Sequence, residues 1–223
     1  MITPLVLSFD LDDTLWPVGP LMMAAESAMH CWLREQHPQI MRNHDAASMR
    51  ALRMRVAERF PERAHDFTFL RRRALAELFA DAGHPESHSD QAFEVFFRER
   101  NRVKLYDDVE SSLRRLSVRY RLFALSNGNA DLKRCGIAHL FEGHITAIAA
   151  GYAKPDARIF ARLLDATGVE AAQVLHIGDD PEADVLGATQ AGMQAAWLNR
   201  DAKQWPAHLE PPSRTISTLA EIL

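Results

Sequence analysis

The sequence predicts an α/β fold: a doubly wound, Rossmann-like parallel sheet with a helical domain inserted into it. Short apolar runs alternate with helical patterns through the second half of the chain, which is typical of βαβ units with right-handed crossovers. A run of the same kind, Leu5–Phe9, opens the chain. Between these parts, residues 21–101 carry only helical periodicity. A crossover needs only about a dozen residues, so this stretch is too long to be a simple connection.

The run Leu5–Phe9 is predicted to be a strand buried on both faces, because four of its five residues are apolar. Asp10, Asp12 and Asp13 follow directly, and then Thr14. Ligands bind at the carboxyl ends of strands in an open α/β sheet. On an extended chain Asp10 and Asp12 lean the same way and repel each other unless a cation or a proton lies between them. Mg²⁺ would meet that need. The alternative is an acidic turn that caps a helix.

Four helices are predicted in the inserted region, and the third of them ends at Gly83, with Pro85 just beyond it. The helical domain is predicted to span residues 17–101, and the α/β core to consist of residues 1–16 and 102–223. The alternative is that these helices pack directly on the sheet. The four predicted helices lie near residues 22–33, 49–60, 67–79 and 90–100.

The remaining core elements alternate between helix and strand. In order they are a helix at 108–116, strands at Tyr120–Leu125 and Ile145–Ala149, a helix at Ala157–Thr167, a strand at Val174–Ile177, a helix, a strand at Gln194–Leu198 and a short last strand near Thr215.

Three of these later strands are followed by polar loops. Ser126 could be only a helix N-cap, Lys154 a solvated loop residue, and the cluster Asp179–Asp184 a turn with a cap. However, all of these loops are predicted at the same edge of the sheet as Asp10, and Lys154 is one of only four lysines in the chain. Carboxylates, a hydroxyl and a lysine that converge at one edge indicate a phosphoryl-transfer site.

Composition excludes several other classes of protein. The 223 residues suffice for one large or two modest domains, and the net charge of −4 argues against a general nucleic-acid binder. No window is long and apolar enough to span a membrane, and the N-terminus lacks the basic region of a signal peptide. Cys31 and Cys135 form no CxxC pair, so we expect a cytoplasmic protein. His176 is predicted to be a packed core residue, and no pair of histidines has convincing metal-ligand spacing.

The segments FDLDDTL, LSNGN, AKPD and GDDPEAD resemble, in this order, the four signature motifs of the haloacid dehalogenase-like (HAD) superfamily. The resemblance implies a HAD core with a helical, C1-type cap, because the insert lies between the first and second motifs. It implies that Asp10 is the nucleophile that forms an aspartyl-phosphate and that Asp12 is the general acid and base. It assigns phosphate binding to Ser126, Asn127 and Lys154.

The resemblance also implies a Mg²⁺ cofactor, held by Asp10, the backbone carbonyl of Asp12, and Asp179. Thr14 would brace the first loop, and Asp184 would lie in the outer shell or steady Lys154. The role of Asp180 is left open.

The implied activity is a Mg²⁺-dependent phosphatase of a small phosphomonoester, with neither nucleic acid nor membrane as a partner and the oligomeric state open. SNGNA and GMQAAWLNR resemble bacterial phosphatases of flavin mononucleotide and of ribitylaminouracil phosphate. Specificity is expected from the cap and from Trp16–Met22, with Arg34 and Arg71–Arg73 able to meet further anionic groups. The alternatives are a phosphomutase, a dehalogenase or a phospho-receiver module. Dehalogenases of the superfamily need no metal and lack the second aspartate of the first motif, which is present here as Asp12.

Overall fold

The computed structural model of the chain describes residues 2–222. It divides into two compact units. The core unit consists of Met1–Pro17 and Lys104–Leu223, and the helical unit consists of Val18–Val103.

The core unit is built on a six-stranded sheet in the order β3-β2-β1-β4-β5-β6, and every neighbouring pair is parallel. This confirms the predicted fold class. In chain order the strands are β1 Val6–Phe9, β2 Arg121–Ser126, β3 Gly143–Thr146, β4 Val174–Gly178, β5 Gln194–Leu198 and β6 Thr215–Ile216.

Strand β1 lies at the centre of the sheet, between β2 and β4, which explains why it reads as a nearly continuous apolar run. Phe9 pairs with Ala124 of β2 on one side and with Ile177 of β4 on the other. The residues that follow these three strands therefore meet at one edge of the sheet, as the sequence predicted.

Helices and turns connect the strands of the core unit. Helix α8 has the bounds predicted from the sequence, because Asp156 caps its first turn by accepting from the Arg158 N–H (2.9 Å) and Gly168 ends it with φ +66°. The helices are α6 Val109–Leu116, α7 Ala147–Ala150, α8 Ala157–Thr167 and α9 Gly187–Gln190, and a π-helical segment, Pro181–Leu186, precedes α9.

The predicted third strand, Ile145–Ala149, is wrong in its second half. The strand ends at Thr146, and Ala147 begins the single helical turn α7. The Thr146 hydroxyl accepts a hydrogen bond from the Ala149 N–H (3.1 Å), which caps this turn, and Gly151 (φ +79°) ends it. Alanine favours helix over strand, so a cap on each side of an alanine-rich run decides its structure locally.

The helical unit contains the four predicted helices and one further short helix, α2. Helix α1 packs against α5, and α3 packs against α4. Their apolar faces share one core, which includes Met29, Leu33, Val56 and Phe79. The helices are α1 Val18–Gln36, α2 Pro38–Asn43, α3 Ala46–Arg59, α4 Phe67–Asp81 and α5 Ser89–Arg100.

Within residues 2–222, no helix combines the length and the apolar character that crossing a membrane requires.

Candidate active site

Asp10 and Lys154 form a buried ion pair at the carboxyl edge of the sheet. Asp10 follows β1 directly and is 8% exposed, and its backbone N–H donates to the Ile177 carbonyl of β4 (2.9 Å). Lys154, between α7 and α8, is 5% exposed. Its ammonium group donates to Asp10 Oδ1 and to Asp184 Oδ1, each at 2.6 Å. The lysine therefore bridges two carboxylates that lie far apart in the sequence.

Asp184 is held in place by two further residues, one of which is in turn bonded to Ser8. Its Oδ2 atom accepts from the Asp180 N–H (3.0 Å), and its Oδ1 atom lies 3.1 Å from His176 Nε2. His176 Nδ1 lies 3.0 Å from the Ser8 hydroxyl. Because an ionised carboxylate only accepts, Nε2 of a neutral His176 donates to Asp184 and Nδ1 accepts from Ser8. His176 is packed in the core, as predicted, but it also orients the acid that supports Lys154.

Gly178 and Asp180 shape the turn that brings Asp184 to this position. A Cβ atom on Gly178 would lie 2.2 Å from Asp184 Cγ, so only glycine permits this close approach. Asp180 Oδ1 accepts from the N–H groups of Glu182 and Ala183, both at 2.8 Å. Asp180 therefore caps the π-helical segment. The alternative interpretation of the Asp179–Asp184 cluster, a turn with a cap, is thus correct for Asp180.

Three carboxylates converge beside Lys154. Asp10, Asp179 and Asp184 each offer an oxygen atom, and these oxygens lie within 4.8 Å of one another. With all three ionised, the cluster and the lysine together carry a net charge of −2. An all-oxygen donor set with this excess of negative charge fits a divalent cation such as Mg²⁺.

The pKa values of this cluster reflect its crowding. Burial raises the pKa of Asp179 to about 7, and the charge of Asp184 adds to the increase. Burial also raises the pKa of Asp10, although Lys154 acts in the opposite direction. Burial alone would raise the pKa of Asp184, but Lys154 and His176 outweigh it and hold that pKa below its ordinary value. A cation bound at this cluster would favour the ionised forms of Asp179 and Asp10, whose pKa values are raised in its absence.

The loop after Asp10 is fixed by Trp16, for which the sequence analysis expected a role in specificity and not in holding this loop. Trp16 is fully buried, and its indole N–H donates to Asp12 Oδ1 (2.8 Å). Its carbonyl accepts from the Asp13 N–H (2.8 Å). Asp13 has a φ of +58°, a conformation that aspartate tolerates better than most residues. The Thr14 hydroxyl donates to Asp179 Oδ1 (3.1 Å), which connects this loop to the carboxylate cluster.

The second predicted motif, LSNGN, contacts the backbone of Lys154 through the side chain of Asn127. Ser126 ends β2 and is 1% exposed, and its hydroxyl accepts from the Gly128 N–H (3.0 Å). Asn127 Oδ1 accepts from the Lys154 N–H (2.7 Å), and Asn127 Nδ2 donates to the Lys154 carbonyl (3.0 Å). The Asn127 side chain therefore positions Lys154, and its contact with phosphate remains a prediction.

Trp197, which lies within β5, and Arg200, which follows β5, support the site, and the sequence analysis assigned them no role. The Trp197 indole N–H donates to the Asp179 carbonyl (2.9 Å). Arg200 Nε donates to the Thr14 carbonyl (3.0 Å), while its two terminal nitrogens donate to the two carboxylate oxygens of Asp108 (2.9 and 3.2 Å). Both belong to the segment GMQAAWLNR, which contains β5. The position of Arg200 just after a core strand was the available signal.

The expectation that Arg71–Arg73 meet a ligand is not supported by their contacts. Arg71 is 6% exposed, donates to Glu26 (2.8 Å) and lies over the Phe96 ring (3.5 Å to its centroid). Arg72 and Arg73 pair with Asp90 and Glu77, at 2.8 and 2.9 Å. The helical unit neutralises these cations internally.

Known proteins match this chain over nearly its whole length. The family model described as haloacid dehalogenase-like hydrolase matches residues 5–192. The 5-amino-6-(5-phospho-D-ribitylamino)uracil phosphatase YigB of Escherichia coli (strain K12) is 32% identical, over 97% of this chain and 93% of its own length. The crystal structure of 2-haloacid dehalogenase from Pseudomonas syringae pv. Tomato DC3000 has a TM-score of 0.93 and 35% identity, and the match covers 100% of this chain and 96% of that one. The L-2-haloacid dehalogenase from Xanthobacter autotrophicus shares the fold, with a TM-score of 0.68 and 21% identity over 99% and 97% of the two chains.

Proposed function

The chain belongs to the haloacid dehalogenase-like hydrolase family, and we propose that it is a Mg²⁺-dependent phosphatase that hydrolyses a small phosphomonoester through an aspartyl-phosphate on Asp10. The observation that carries this proposal is the buried contact between Asp10 and Lys154 (2.6 Å) within a cluster of three carboxylates. Phosphatase relatives such as YigB support the same reaction class.

Asp10 acts as the nucleophile and Asp12 moves the proton. An Asp10 oxygen forms a bond to phosphorus as the ester P–O bond breaks, and Asp12 gives its proton to the departing oxygen. Asp12 then takes a proton from water, whose oxygen bonds to phosphorus as the Asp10 O–P bond breaks. Inorganic phosphate leaves, and Asp10 is free again. The hydrogen bond from Trp16 to Asp12 Oδ1 orients the acid for both steps.

Lys154 and Ser126 hold the phosphoryl group. Lys154 offsets negative charge on the Asp10 side of the phosphate, and the Ser126 hydroxyl donates to a non-bridging oxygen. Asp184 keeps Lys154 charged and in place, because the lysine lies between two carboxylates that raise its pKa against the effect of burial.

The side chains of Asp10 and Asp179 and the backbone carbonyl of Asp12 would hold Mg²⁺. When bound, Mg²⁺ supplies Lewis-acid stabilisation of the charge that develops on the phosphoryl oxygens. The oxygens of Asp184 already accept from Lys154, His176 and the Asp180 N–H, which favours a place for Asp184 outside the ligand set.

We assign the role of a cap to the helical domain, in the predicted limits 17–101, because it lies in the chain between the first and second motifs. A cap of this kind admits a small substrate and restricts water. The ribitylaminouracil phosphate named for YigB is the first substrate to test, since that relative matches over nearly the whole chain.

A dehalogenase is the second candidate, because a structure 35% identical to this chain bears that name. Two features favour the phosphatase. Asp12 lies at the position that dehalogenases of the superfamily leave without an aspartate, and the net charge of the carboxylate cluster favours a divalent cation that dehalogenases do not need.

The two candidates differ in product and in metal dependence. Phosphate release should be measured for a panel of small phosphate esters, and chloride release for 2-chloropropionate, each in Mg²⁺ and in EDTA. We expect phosphate release in Mg²⁺ only, and no chloride. Chloride release that persists in EDTA would establish the dehalogenase instead. Transfer of the phosphoryl group to a second sugar hydroxyl, seen by product analysis, would indicate a mutase.

A further inference from the structure

Three histidines of the helical unit converge although His37 is distant in sequence from the other two. His37, His84 and His88 each offer a ring nitrogen, and these three atoms lie within 4.8 Å of one another. The ring centroid of His37 lies 4.9 Å from that of His84 and 5.7 Å from that of His88. The expectation that no histidines have metal-ligand spacing is therefore wrong for this cluster.

The three histidines lie in two connections between helices: His37 joins α1 to α2, and His84 and His88 both lie between α4 and α5. His37 lies between α1 and α2 and accepts the Ile40 N–H at its carbonyl (3.0 Å). His84 follows Gly83 (φ +75°), which ends α4, and the His84 N–H donates to the Phe79 carbonyl (2.9 Å). His88 ends the 3₁₀ turn that leads into α5. The backbone thus holds the three rings together at one end of the helical unit.

Two of these rings carry nitrogens that lack a partner. His37 is only 9% exposed, and its Nδ1 atom is buried with no hydrogen-bond partner. His88 Nδ1 is also buried and without a partner. His84 Nε2 contacts the side-chain amide of Gln39. A buried polar atom without a partner costs about 1–3 kcal/mol, so a ligand that met these nitrogens would stabilise the arrangement.

The surroundings of His37 disfavour its charged form. Burial lowers the pKa of His37, and the neighbouring His84 and His88 lower it further. A neutral imidazole is the form that binds a metal ion.

We propose that His37, His84 and His88 form a transition-metal site, with Zn²⁺ as the expected ion, separate from the phosphatase site of the core unit. Zn–N bonds of about 2.0–2.1 Å place tetrahedral nitrogens roughly 3.4 Å apart, so small ring rotations suffice. The His84–His88 spacing lies within the H-x₃₋₅-H range of zinc ligands. Water or the Gln39 side-chain oxygen completes the coordination.

This all-nitrogen set selects a different ion from the all-oxygen cluster of the core unit. Imidazole suits Zn²⁺, Cu²⁺ and Ni²⁺, whereas carboxylates suit Mg²⁺. A bound ion would join the α1–α2 connection to the α4–α5 connection and stabilise the helical unit. The proposal does not depend on the phosphatase assignment.

The test is Zn²⁺ binding by calorimetry to the full chain in excess Mg²⁺, which competes with Zn²⁺ for the carboxylate cluster. The parent is compared with His84→Gln and His88→Gln, and His65→Gln is the control, since His65 lies in the helical unit outside the cluster. We expect one Zn²⁺ per chain in the parent and the control, and affinity at least roughly a hundredfold weaker in the two variants. Zn²⁺ should also raise the Tm of the parent and the control only.

A second measurement on the parent alone guards against a variant that fails to fold. Zn²⁺ should shift the ring-nitrogen NMR signals of the three clustered histidines and leave that of His65 unchanged. Equal Zn²⁺ affinity in the parent and the variants, or no Zn²⁺ binding by the parent, would overturn the proposal.

Discussion

The Asn127 side chain makes two hydrogen bonds to the backbone of Lys154, one accepted from the N–H (2.7 Å) and one donated to the carbonyl (3.0 Å). These bonds join the loop after β2 to the loop before α8. They fix the backbone of the residue whose ammonium group meets both Asp10 and Asp184. Asn127 is therefore expected to act on catalysis through the position of Lys154.

Asn127→Ala should lower kcat/KM about tenfold to a hundredfold, because a displacement of roughly 1 Å at a reacting group has effects of this size. Asn199→Ala is a matched control, since Asn199 makes the same pair of bonds to the Lys203 backbone (2.8 and 2.9 Å) in the loop after β5. Steady-state kinetics on the two variants provide the comparison. Equal losses in both would show that the bonds matter only for loop stability.

Lys154→Ala should lower kcat/KM at least a hundredfold, or about 2.7 kcal/mol, because it leaves the carboxylate cluster without its cation. Lys133→Ala removes an exposed lysine and should change kcat/KM less than about twofold. Activity of Lys154→Ala close to that of the parent would return Lys154 to the status of an ordinary loop residue.

Asp179→Asn should stabilise the metal-free protein at pH 8. The pKa of Asp179 is raised from 3.8 to about 7 in the folded state, so between these values the folded state binds more protons than the unfolded state. Folding stability is then lost as the pH rises through this window, and the loss is complete above about pH 7. Asparagine does not titrate, so the variant lacks this pH dependence of stability. Its side-chain oxygen can still accept the hydrogen bond from the Thr14 hydroxyl.

Urea unfolding in EDTA at pH 5 and pH 8 measures this effect. The variant should gain on the order of 1–3 kcal/mol over the parent between the two pH values, whereas Asp165→Asn, at an exposed position on α8, should not. A pH-independent difference between Asp179→Asn and the parent would contradict the raised pKa.

Gly178→Ala should lower both stability and activity. The new Cβ would lie 2.2 Å from Asp184 Cγ, so Asp184 must move away from Lys154. Overpacking of this kind costs about 1–3 kcal/mol. Gly19→Ala is the control for the urea midpoint, because a Cβ at Gly19 meets no atom within 4 Å. Urea midpoints and kcat/KM should fall together in Gly178→Ala; an unchanged kcat/KM would mean that Asp184 does not need its observed position.

Much of the fold follows from local patterns. The apolar run of β1 is typical of a strand with neighbours on both sides, and Asp156 and Gly168 mark both ends of α8. The edge of the sheet at which Asp10, Ser126 and Asp179 meet follows from the rule that ligands bind at the carboxyl ends of parallel strands.

The supporting contacts could not be predicted in the same way. Trp16, Trp197 and Arg200 act through hydrogen bonds whose geometry depends on the packing of several loops. His176 reads as a core residue because it is one, and only the fold reveals its bond to Asp184. His37 is 47 residues from His84, so no local spacing connects it to the histidine cluster.

The central claim, an aspartyl-phosphate on Asp10, is tested most directly by trapping it in Asp12→Asn. An aryl phosphate whose leaving group needs no proton should still phosphorylate Asp10, while hydrolysis of the intermediate slows because the base is missing. The reaction is quenched in acid, reduced with borohydride, which converts an aspartyl-phosphate to homoserine, and analysed by peptide mass spectrometry. Homoserine at position 10, dependent on Mg²⁺ and absent from Asp10→Asn, is the predicted result. Steady phosphate release by the parent with no modification at position 10 in Asp12→Asn would contradict the account.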